Sequence, residues 1–400
     1  MFYFKLRGVS NSNTQIEKTT NKKLDKYDEI LSTSEEFNLF VNHLKSSNIQ
    51  VNNQIMNNMN MQYYTESRIK YYLGEMYSIN TVYPKDDYIN VDILLNDMDN
   101  TRRIYPKGIF EHGIYSSMVC KLTTRGLIAL NSGVSGYTKR LLPYLEAYNL
   151  KDMYLLYLIG DVEKQIDDYY LSKIRLEGCN KSVIIKAANL HRHWGVLYSK
   201  EMFDNDIPFQ NKVGCALWRG ATTGQVGRCA NRFDLVEKYF DNHNKINIGF
   251  SNIAWGTVDT SGNIINYHSY AKWVKGKMSI KEQLRYKYLL AVDGNDKASG
   301  LNWQLASKSL VMMAKPTKIS WLMEDNLIPN VHYIQLKNDF SDLEEKIEWC
   351  ESHPNECQQM VNNANHFMSQ FYNENMERYI ESQVIVRYMK KIQLSKVRFT

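Results

Sequence analysis

The sequence predicts an α/β protein with two doubly wound halves, because unbroken apolar runs alternate with helical patterns along the chain. The runs Met153–Asp161 and Ser182–Ala188 are typical of strands buried on both faces of a parallel sheet. A third run, Val213–Trp218, opens a β-α-β-α-β-α pattern that fills the second half. Ligands bind such sheets at the carboxyl ends of the strands, so we expect the site there.

The chain is too long for one ordinary core, and its 400 residues suit two domains of typical size. The polar, proline-containing segment Asn205–Lys212 is the predicted linker. We therefore expect an N-terminal domain over residues 1–204, with a helical extension at its start, and a C-terminal domain over residues 205–372. A last helix, residues 373–400, is expected to pack back on the N-terminal domain.

Local patterns predict the remaining elements. Helical periodicity marks Tyr27–Leu44, Thr65–Tyr77 and Leu142–Tyr148, whereas the low-complexity run Val51–Met61 indicates a loop or a frayed helix. Ser341, followed three residues later by Glu344, has the pattern of a capping box. The other predicted strands are Ile246–Ile253, Tyr288–Gly294, Ser309–Ala314 and His332–Leu336, and the other predicted helices are Phe233–Asn242, Ser279–Tyr288, Leu301–Ser307, Ile319–Asn326, Asp342–Cys350 and Gln358–Tyr388.

Composition narrows the classes of partner. The net charge of +6 is spread along the chain without long basic runs, which argues against a nucleic-acid interface. Six cysteines without zinc or disulfide-framework spacing favour a reducing compartment. No secretory signal or apolar membrane span is recognisable, so we expect a cytoplasmic protein. Heavy use of Asn, Lys, Ile and Tyr is compatible with an AT-rich genome, and with a virus-encoded protein that acts in its host cell.

The stretch Val213–Arg232 predicts a phosphate-binding loop. Its strand runs into an Arg-Gly turn, small and hydroxyl residues follow, and Arg228 falls at a predicted helix start. Glycine lets the backbone approach a phosphate, hydroxyls and free amides donate hydrogen bonds, and a guanidinium grips oxygen pairs. The stretch is neither a Walker loop nor a dinucleotide fingerprint, which argues against an ATPase and a dehydrogenase. Taken alone, it also fits an ordinary strand–turn–helix with a structural arginine.

A metal site is not expected. The acidic residues of the irregular region between Asn80 and Thr101 lack the regular D-x-D ladder with glycine that typifies a cation loop. We therefore predict that they form a solvated acidic loop; they are Asp86, Asp87, Asp97 and Asp99.

Three ordered segments, LWRGATTG, RYKYLLAVDGNDKASGLNWQLASKSLVMM and LIPNVHYIQLKNDFSDLEEKIEWC, closely resemble glycosyltransferase family 90. That family comprises the capsule-associated fungal xylosyltransferase proteins and the Rumi-type protein O-glucosyltransferases. The resemblance covers Met153 to about Tyr372 and is strongest from Leu217 onward. It implies a GT-B fold, in which two Rossmann-like domains face each other across a cleft and C-terminal helices cross back.

The activity implied by this resemblance is inverting and metal-independent. It moves xylose or glucose from a UDP-sugar to a hydroxyl of a glycan or a protein, and it needs no cofactor. A catalytically inactive GT-B-like protein that binds a glycan or a partner is the alternative, and a basic nucleic-acid binder is a weaker one.

Site residues are also implied by the resemblance. The catalytic base of the family falls on Asp161, although Gly160 takes the place of a family arginine. Arg228 matches the arginine that closes on the diphosphate, with one extra residue in the loop before it. The family's donor loop falls on Arg219, Gly220, Ala221, Thr222 and Thr223.

The chain departs from the pattern of the glucosyltransferase branch at Leu301, where that branch has an arginine that contacts the nucleotide. Ser299 and Asn302 could supply hydrogen bonds there, but no charge. Glu324 matches a family glutamate and would hold the ribose, or would be a solvated helical glutamate. His191 and His193 follow the strand next to that of Asp161, and we expect them on the acceptor side of the cleft.

Overall fold

A computed structural model describes residues 34–81, 117–123, 126–128, 141, 143–150, 154–158, 169–189, 193–198, 206–240, 244–254 and 267–392. These parts form a mixed α/β structure, so the α/β part of the predicted fold class is confirmed. The helices are α1 Ser34–Met56, α2 Met59–Leu73, α3 Arg232–Tyr239, α4 Ile280–Gln283, α5 Leu301–Ala306, α6 Leu343–Ser352, α7 Pro354–Ser369 and α8 Glu374–Lys391. The strands are β1 Ser117–Thr123, β2 Gly126–Ile128, β3 Tyr154–Leu158, β4 Leu171–Ser172, β5 Ile174–Leu176, β6 Val183–Ile184, β7 Val213–Ala221, β8 Ile246–Asn252, β9 Tyr286–Leu290, β10 Leu310–Met313, β11 Lys318–Ser320 and β12 Ile334–Gln335.

The sheet of the C-terminal half is parallel, with the order β12-β10-β9-β7-β8. From β7 the chain turns to β8 on one side and then returns to β9 on the other. The connections after β7 and β9 therefore leave the sheet in opposite directions. That switch point opens a crevice at the carboxyl ends of β7 and β9, which is where open α/β sheets bind ligands.

The sheet of the N-terminal half has the order β2-β1-β3-β4-β6, and its strands β3, β4 and β6 are parallel. Strand β1 pairs with β2 and β3 in the antiparallel sense. A separate antiparallel pair, β5 with β11, joins the two halves of the chain through the register Ile319 to Arg175. This pair fixes the segment that follows β10 against the N-terminal half.

Two apolar clusters hold the described parts together. One lies on one face of the C-terminal sheet, under α3 and α6, and includes Trp218, Phe250 and Leu343. The other is larger and runs from the N-terminal helices through both sheets to α8, with Leu73 and Ile380 among its members. Helix α8 packs against α1 and α2, so the end of the chain is buried against its beginning. None of the described helices combines the length and apolar character needed to cross a membrane.

A buried charge network lies where α2, α8 and the turn after β6 meet. The guanidinium of Arg68 donates to both carboxylate oxygens of Glu377, at 3.0 Å for the Nη2–Oε2 bond. The ammonium of Lys186 donates to the same Oε2 at 3.1 Å. Both cations and the carboxylate are almost fully buried. Because an unpaired buried charge is costly, each member of the network depends on the others.

The predicted strands at Val213–Trp218, Ile246–Ile253, Ser309–Ala314 and Met153–Asp161 are confirmed as β7, β8, β10 and β3. The prediction of a loop or frayed helix at Val51–Met61 is wrong, because α1 continues to Met56 and α2 begins at Met59. Val51 and Ile55 are buried, and this apolar face outweighs the poor helix propensity of the asparagines around them. The break between the helices is capped by Asn58, whose side chain accepts from the amide of Met61 at 3.1 Å.

Two other predicted helices need correction. Ile319–Asn326 is not a helix: Ile319 lies in β11, and a single 3-10 turn follows at Glu324–Asn326. Of the predicted helix at Ser279–Tyr288, only Ile280–Gln283 is helical, since the chain enters β9 at Tyr286.

The capping box does not form at Ser341. Helix α6 starts after Asp342, whose Oδ1 accepts from the amide of Lys337 at 2.9 Å instead of capping the helix. A capping box with both hydrogen bonds forms at Ser279 and Glu282.

Candidate functional site

Two neighbouring cavities open at the carboxyl edge of the C-terminal sheet, beside the crevice between β7 and β9. The large cavity has a volume of about 430 Å³, and residues of both halves line it, among them Lys173, His193, Trp218, Arg232 and Trp303. The small cavity has a volume of about 140 Å³, and its lining includes Arg228, Lys318, Glu324, Asn338 and Phe340. The loop that follows β9 separates the two cavities and contributes to both.

Glycines allow close packing at the end of β7 and between the loops after β7 and β9. A Cβ on Gly220 would lie 2.5 Å from the ring of Trp218, and one on Gly294 would lie 2.8 Å from the hydroxyl of Thr223. Gly224 has a φ of +99° and would place a Cβ 3.2 Å from the carbonyl oxygen of Gly294. Side chains other than hydrogen do not fit at these positions, so the glycines allow the chain to pack closely at the edge of the crevice.

The two threonines of the predicted donor loop have different surroundings. Thr222 is fully buried, its hydroxyl accepts from the amide of Ala254 at 2.8 Å, and it lines neither cavity. Thr223 lines the large cavity, and its hydroxyl accepts from Arg232 at 2.5 Å. Gly220 and Ala221 line the same cavity. The structure therefore brings most of the predicted donor loop to the edge of the crevice.

Arg232 joins the two loops, a role that the sequence did not indicate. Its guanidinium donates to the carbonyl oxygen of Ala221 at 3.0 Å, after β7, and its Nε donates to that of Asp293 at 3.0 Å, after β9. Arg232 occupies the first position of α3, directly after the cap residue Asn231. The prediction that Arg228 lies at the helix start is thus wrong, because the capping side chain of Asn231 begins the helix after it.

The two arginines predicted to bind the donor, Arg219 and Arg228, differ in their contacts with the rest of the protein. Arg219 donates to the carbonyl oxygens of Trp218 and Asn247, at 2.8 and 2.9 Å, and to the side-chain oxygen of Asn247 at 2.6 Å. Arg228 is half-buried in the wall of the small cavity, and its side chain makes no hydrogen bond or ion pair with the described residues. Arg228 is accordingly the better placed of the two to receive an anion.

Two buried lysines add positive charge around the small cavity. Lys318 donates to the carbonyl oxygen of Asp296 at 2.6 Å and lies 3.4 Å from a carboxylate oxygen of Asp293. Burial lowers the pKa of Lys318, and the charge of Arg228 acts in the same direction. Burial also lowers the pKa of Lys297, to about 8. Arg228 disfavours the charged form of Lys318, and Lys173 and Lys186 disfavour that of Lys297, so an anionic ligand would be favourable here.

Glu324 is buried, so the alternative prediction of a solvated helical glutamate is wrong. Its two carboxylate oxygens accept from the amide and the hydroxyl of Ser320, at 2.6 and 2.7 Å. The preceding residue, Met323, has a left-handed backbone with a φ of +60°, which turns the chain at this point. The carboxylate is held in one position at the wall of the small cavity.

The residues around the start of α5 are mostly occupied by structural contacts. The amide nitrogen of Asn302 donates to the carbonyl oxygens of His193 and Ser299, at 2.5 and 3.1 Å. Leu301 is buried and contributes an apolar surface to the small cavity. Ser299 and His193 line the large cavity, where His193 is largely buried.

Asp161 and His191 lie outside the described residues, so their predicted roles stay predictions. Asp97 and Asp99 also fall there. In the parts of the chain that the structure covers, no group of three His, Cys, Asp or Glu side chains is arranged to hold a metal ion.

Comparison with known proteins finds a family match and several relatives. A family model described as "Glycosyl transferase family 90" matches residues 186–398. The chain is 33% identical to "O-glucosyltransferase LpsA" of Dichelobacter nodosus over 193 residues, which cover 48% of this chain and 54% of that protein. It is 28% identical to "Protein O-glucosyltransferase 2" of Danio rerio over 153 residues, covering 38% of this chain and 28% of the other.

A viral relative is also found. "Uncharacterized protein 035R" of Invertebrate iridescent virus 3 is 33% identical over 104 residues, which cover 26% of this chain and 9% of that protein. The chain spans about half the length of the first of these relatives and less of the others.

The family match extends over more than half of the chain. It contains the complete lining of the small cavity and that of the large cavity apart from Lys173. The predicted resemblance is confirmed, and the chain belongs to glycosyl transferase family 90.

Proposed function

We propose that this chain transfers glucose or xylose from a UDP-sugar to a hydroxyl group of a glycan or a protein, with inversion at the anomeric carbon. The observation that carries this proposal is the basic small cavity beside the glycine loops of the crevice, with Arg228 in its wall. A diphosphate matches that combination, because glycine loops admit its oxygens and a guanidinium pairs with them. Two relatives named as O-glucosyltransferases support glucose as the first sugar to test.

The donor is expected to contact the residues implied by the family resemblance. Arg228 would hold the diphosphate together with the donor-loop residues that line the large cavity, with hydrogen bonds from Ser299 and Asn302 nearby; these loop residues are Arg219, Gly220, Ala221 and Thr223. Glu324 would accept hydrogen bonds from the ribose hydroxyls, since a fixed carboxylate is an acceptor for two neighbouring O–H groups.

The acceptor would enter from the N-terminal half. Residues Lys173 and His193 of that half line the large cavity opposite Trp218 and Arg232 of the C-terminal half, which supports a GT-B arrangement with the reaction between the domains. Asp161 would take the proton of the acceptor hydroxyl, and the oxygen would attack the anomeric carbon from the face opposite the diphosphate. His191 and His193 would border the acceptor.

Fixed cations would neutralise the charge that develops on the leaving diphosphate. In metal-dependent transferases a divalent ion has this task, whereas Arg228 and the lysines of the small cavity could perform it here. We expect sugar transfer to continue with little loss in EDTA, measured as nucleotide release. Complete inactivation by the chelator, reversed by manganese, would contradict this prediction and direct attention to Asp97 and Asp99.

Nucleotide release from UDP-glucose and UDP-xylose, with hydroxyl-bearing acceptors, tests the function itself. Acceptor-dependent release of UDP from one of these donors is the expected result. A chain that binds an acceptor glycan but releases no nucleotide from any UDP-sugar would favour the inactive, glycan-binding alternative. The choice between the two sugars depends on whether the large cavity has room for the C6 hydroxymethyl group of glucose.

Changing Arg228 to lysine is expected to weaken donor use although the charge is kept. The ammonium loses the paired hydrogen bonds of the guanidinium, at a cost of about 1.5–3 kcal/mol in transition-state stabilisation. Steady-state kinetics measure this cost, and calorimetry with UDP shows how much of it arises in ground-state binding. Arg285→Lys, at an exposed arginine that lines neither cavity, is the matched control. Unchanged kinetics in Arg228→Ala would show that the loop is misassigned.

A further inference from the structure

The wall between the two cavities contains one charged side chain. Five residues line both cavities: Ala291, Val292, Gly294, Lys297 and Ala298. A nucleotide sugar consists of a nucleoside and a sugar joined by a diphosphate. If the two ends occupy one cavity each, the diphosphate must pass this shared wall, where Lys297 is the cation among the five.

Lys297 is held in place by neighbours that leave it donor capacity. Its ammonium donates to the hydroxyl of Ser320 at 2.5 Å and lies 3.7 Å from a carboxylate oxygen of Glu324. The indole of Trp321 is 5.1 Å from it, measured to the ring centroid. An ammonium has three N–H groups. The ammonium can therefore keep its bond to Ser320 and donate to a phosphate oxygen as well.

The charges that face Lys297 come from four elements, and two of them are acidic and two basic. Glu324, in the turn after β11, and Asp296, in its own loop, favour its charged form. Lys173, next to β5, and Lys186, after β6, oppose the charged form. Burial is the largest influence, and together these groups lower the pKa of Lys297 to about 8. An additional anion would restore the charged form, so the site favours a ligand that carries negative charge.

We propose that Lys297 binds the diphosphate of the donor at the junction of the two cavities. It would supply there a positive charge in place of the family arginine, whose position is occupied by Leu301 in this chain. This inference rests on the proposed transfer from a UDP-sugar. It assigns the nucleoside to the small cavity, with the ribose beside Glu324, the diphosphate to the junction between Arg228 and Lys297, and the sugar to the large cavity between the two halves. Lys297 then neutralises the leaving group from the loop after β9, the loop that also holds Gly294.

The test compares UDP with uridine, which has no phosphate, in binding to wild type, Lys297→Met and Lys297→Arg by calorimetry at pH 7. Methionine keeps most of the buried volume without the charge. We expect Lys297→Met to weaken UDP binding about 10- to 150-fold, the range that corresponds to a charged hydrogen bond, and to leave uridine binding unchanged. Lys277→Met, which removes an exposed lysine outside both cavities, should change neither affinity.

The pH dependence of UDP affinity is a second measurement, and it would be unaffected by Lys297 if this residue had only a structural role. The ammonium is the form that binds the anion, so UDP affinity of the wild type should fall as the pH rises through about 8. UDP is already fully ionised above pH 7, because the second phosphate pKa is about 6. Arginine does not titrate in this range, so Lys297→Arg should lose the fall while it still binds UDP. This variant decides the question even if Lys297→Met fails to fold.

Two results would overturn the assignment. One is equal UDP affinity in wild type and Lys297→Met, and the other is an equal loss of UDP and uridine binding. In both cases the wild type still binds UDP, and the proposed function stands without Lys297. A wild-type chain that binds no UDP at all would instead refute the proposed function, and the inference with it.

Discussion

Asp161→Asn is expected to lower the rate of sugar transfer by about two to four orders of magnitude, the usual contribution of a positioned general base. Asparagine keeps the size and much of the hydrogen bonding of aspartate, but it cannot accept the proton of the acceptor hydroxyl at neutral pH. The measurement is acceptor-dependent release of UDP under saturating donor. UDP affinity and melting temperature should stay close to those of the wild type, because the residue is assigned to the acceptor side of the cleft.

The opposite pattern would remove Asp161 from the mechanism. Near-normal turnover together with a clear fall in melting temperature would identify it as a residue that caps the following helix. His191 and His193 would then be the next candidates for the base, since His193 lines the large cavity.

Glu377→Gln is expected to lower the free energy of unfolding by about 3–5 kcal/mol, because it leaves the buried charges of Arg68 and Lys186 without their shared carboxylate. Chemical denaturation measures this change. Glu374→Gln is the matched control in the same helix. The side chain of Glu374 is 32% exposed, and its partner Arg378 lies one turn away. The control should cost only about 0.3–0.5 kcal/mol. An equally small effect of both substitutions would contradict the role given to the buried network.

The same network predicts how stability depends on pH. Burial alone would raise the pKa of Glu377, but Arg68 and Lys186 outweigh burial and hold it below the ordinary value of 4.5. A carboxylate with a lowered folded-state pKa contributes stability above the unfolded-state pKa, and this contribution is lost as the pH falls through the folded-state value. The difference in stability between wild type and Glu377→Gln should therefore shrink as the solution is acidified below about pH 4.5.

The sequence predicted the central sheet because buried parallel strands carry a signal of their own, the unbroken apolar run. Its failures have local causes. In Val51–Met61, burial of two aliphatic residues stabilises the helix despite the low helix propensity of the many asparagines. The composition of the segment reflects the asparagines and not this burial. In Ile319–Asn326, pairing of β11 with the distant strand β5 overrides a helical pattern, and single-sequence periodicity does not contain that contact.

The part of the candidate site that the sequence predicted is the one where close backbone packing requires glycine. Gly220 was recognisable in the Arg-Gly turn at the end of a strand, and the structure shows that a Cβ there would collide with the ring of Trp218. Arg232 and Lys297 were missed because an arginine beside a helix cap and a lysine in a polar loop look like surface residues in a sequence. Both make contacts with residues distant in the sequence, Arg232 with Asp293 and Lys297 with Ser320.

A crystal structure of the chain with UDP tests the central claim most directly. We expect the diphosphate between the glycine loops and Arg228, in contact with Lys297 at the junction of the two cavities. The uridine should then occupy the small cavity beside Glu324. UDP bound elsewhere on the protein, with the crevice at the carboxyl ends of β7 and β9 empty, would contradict the account.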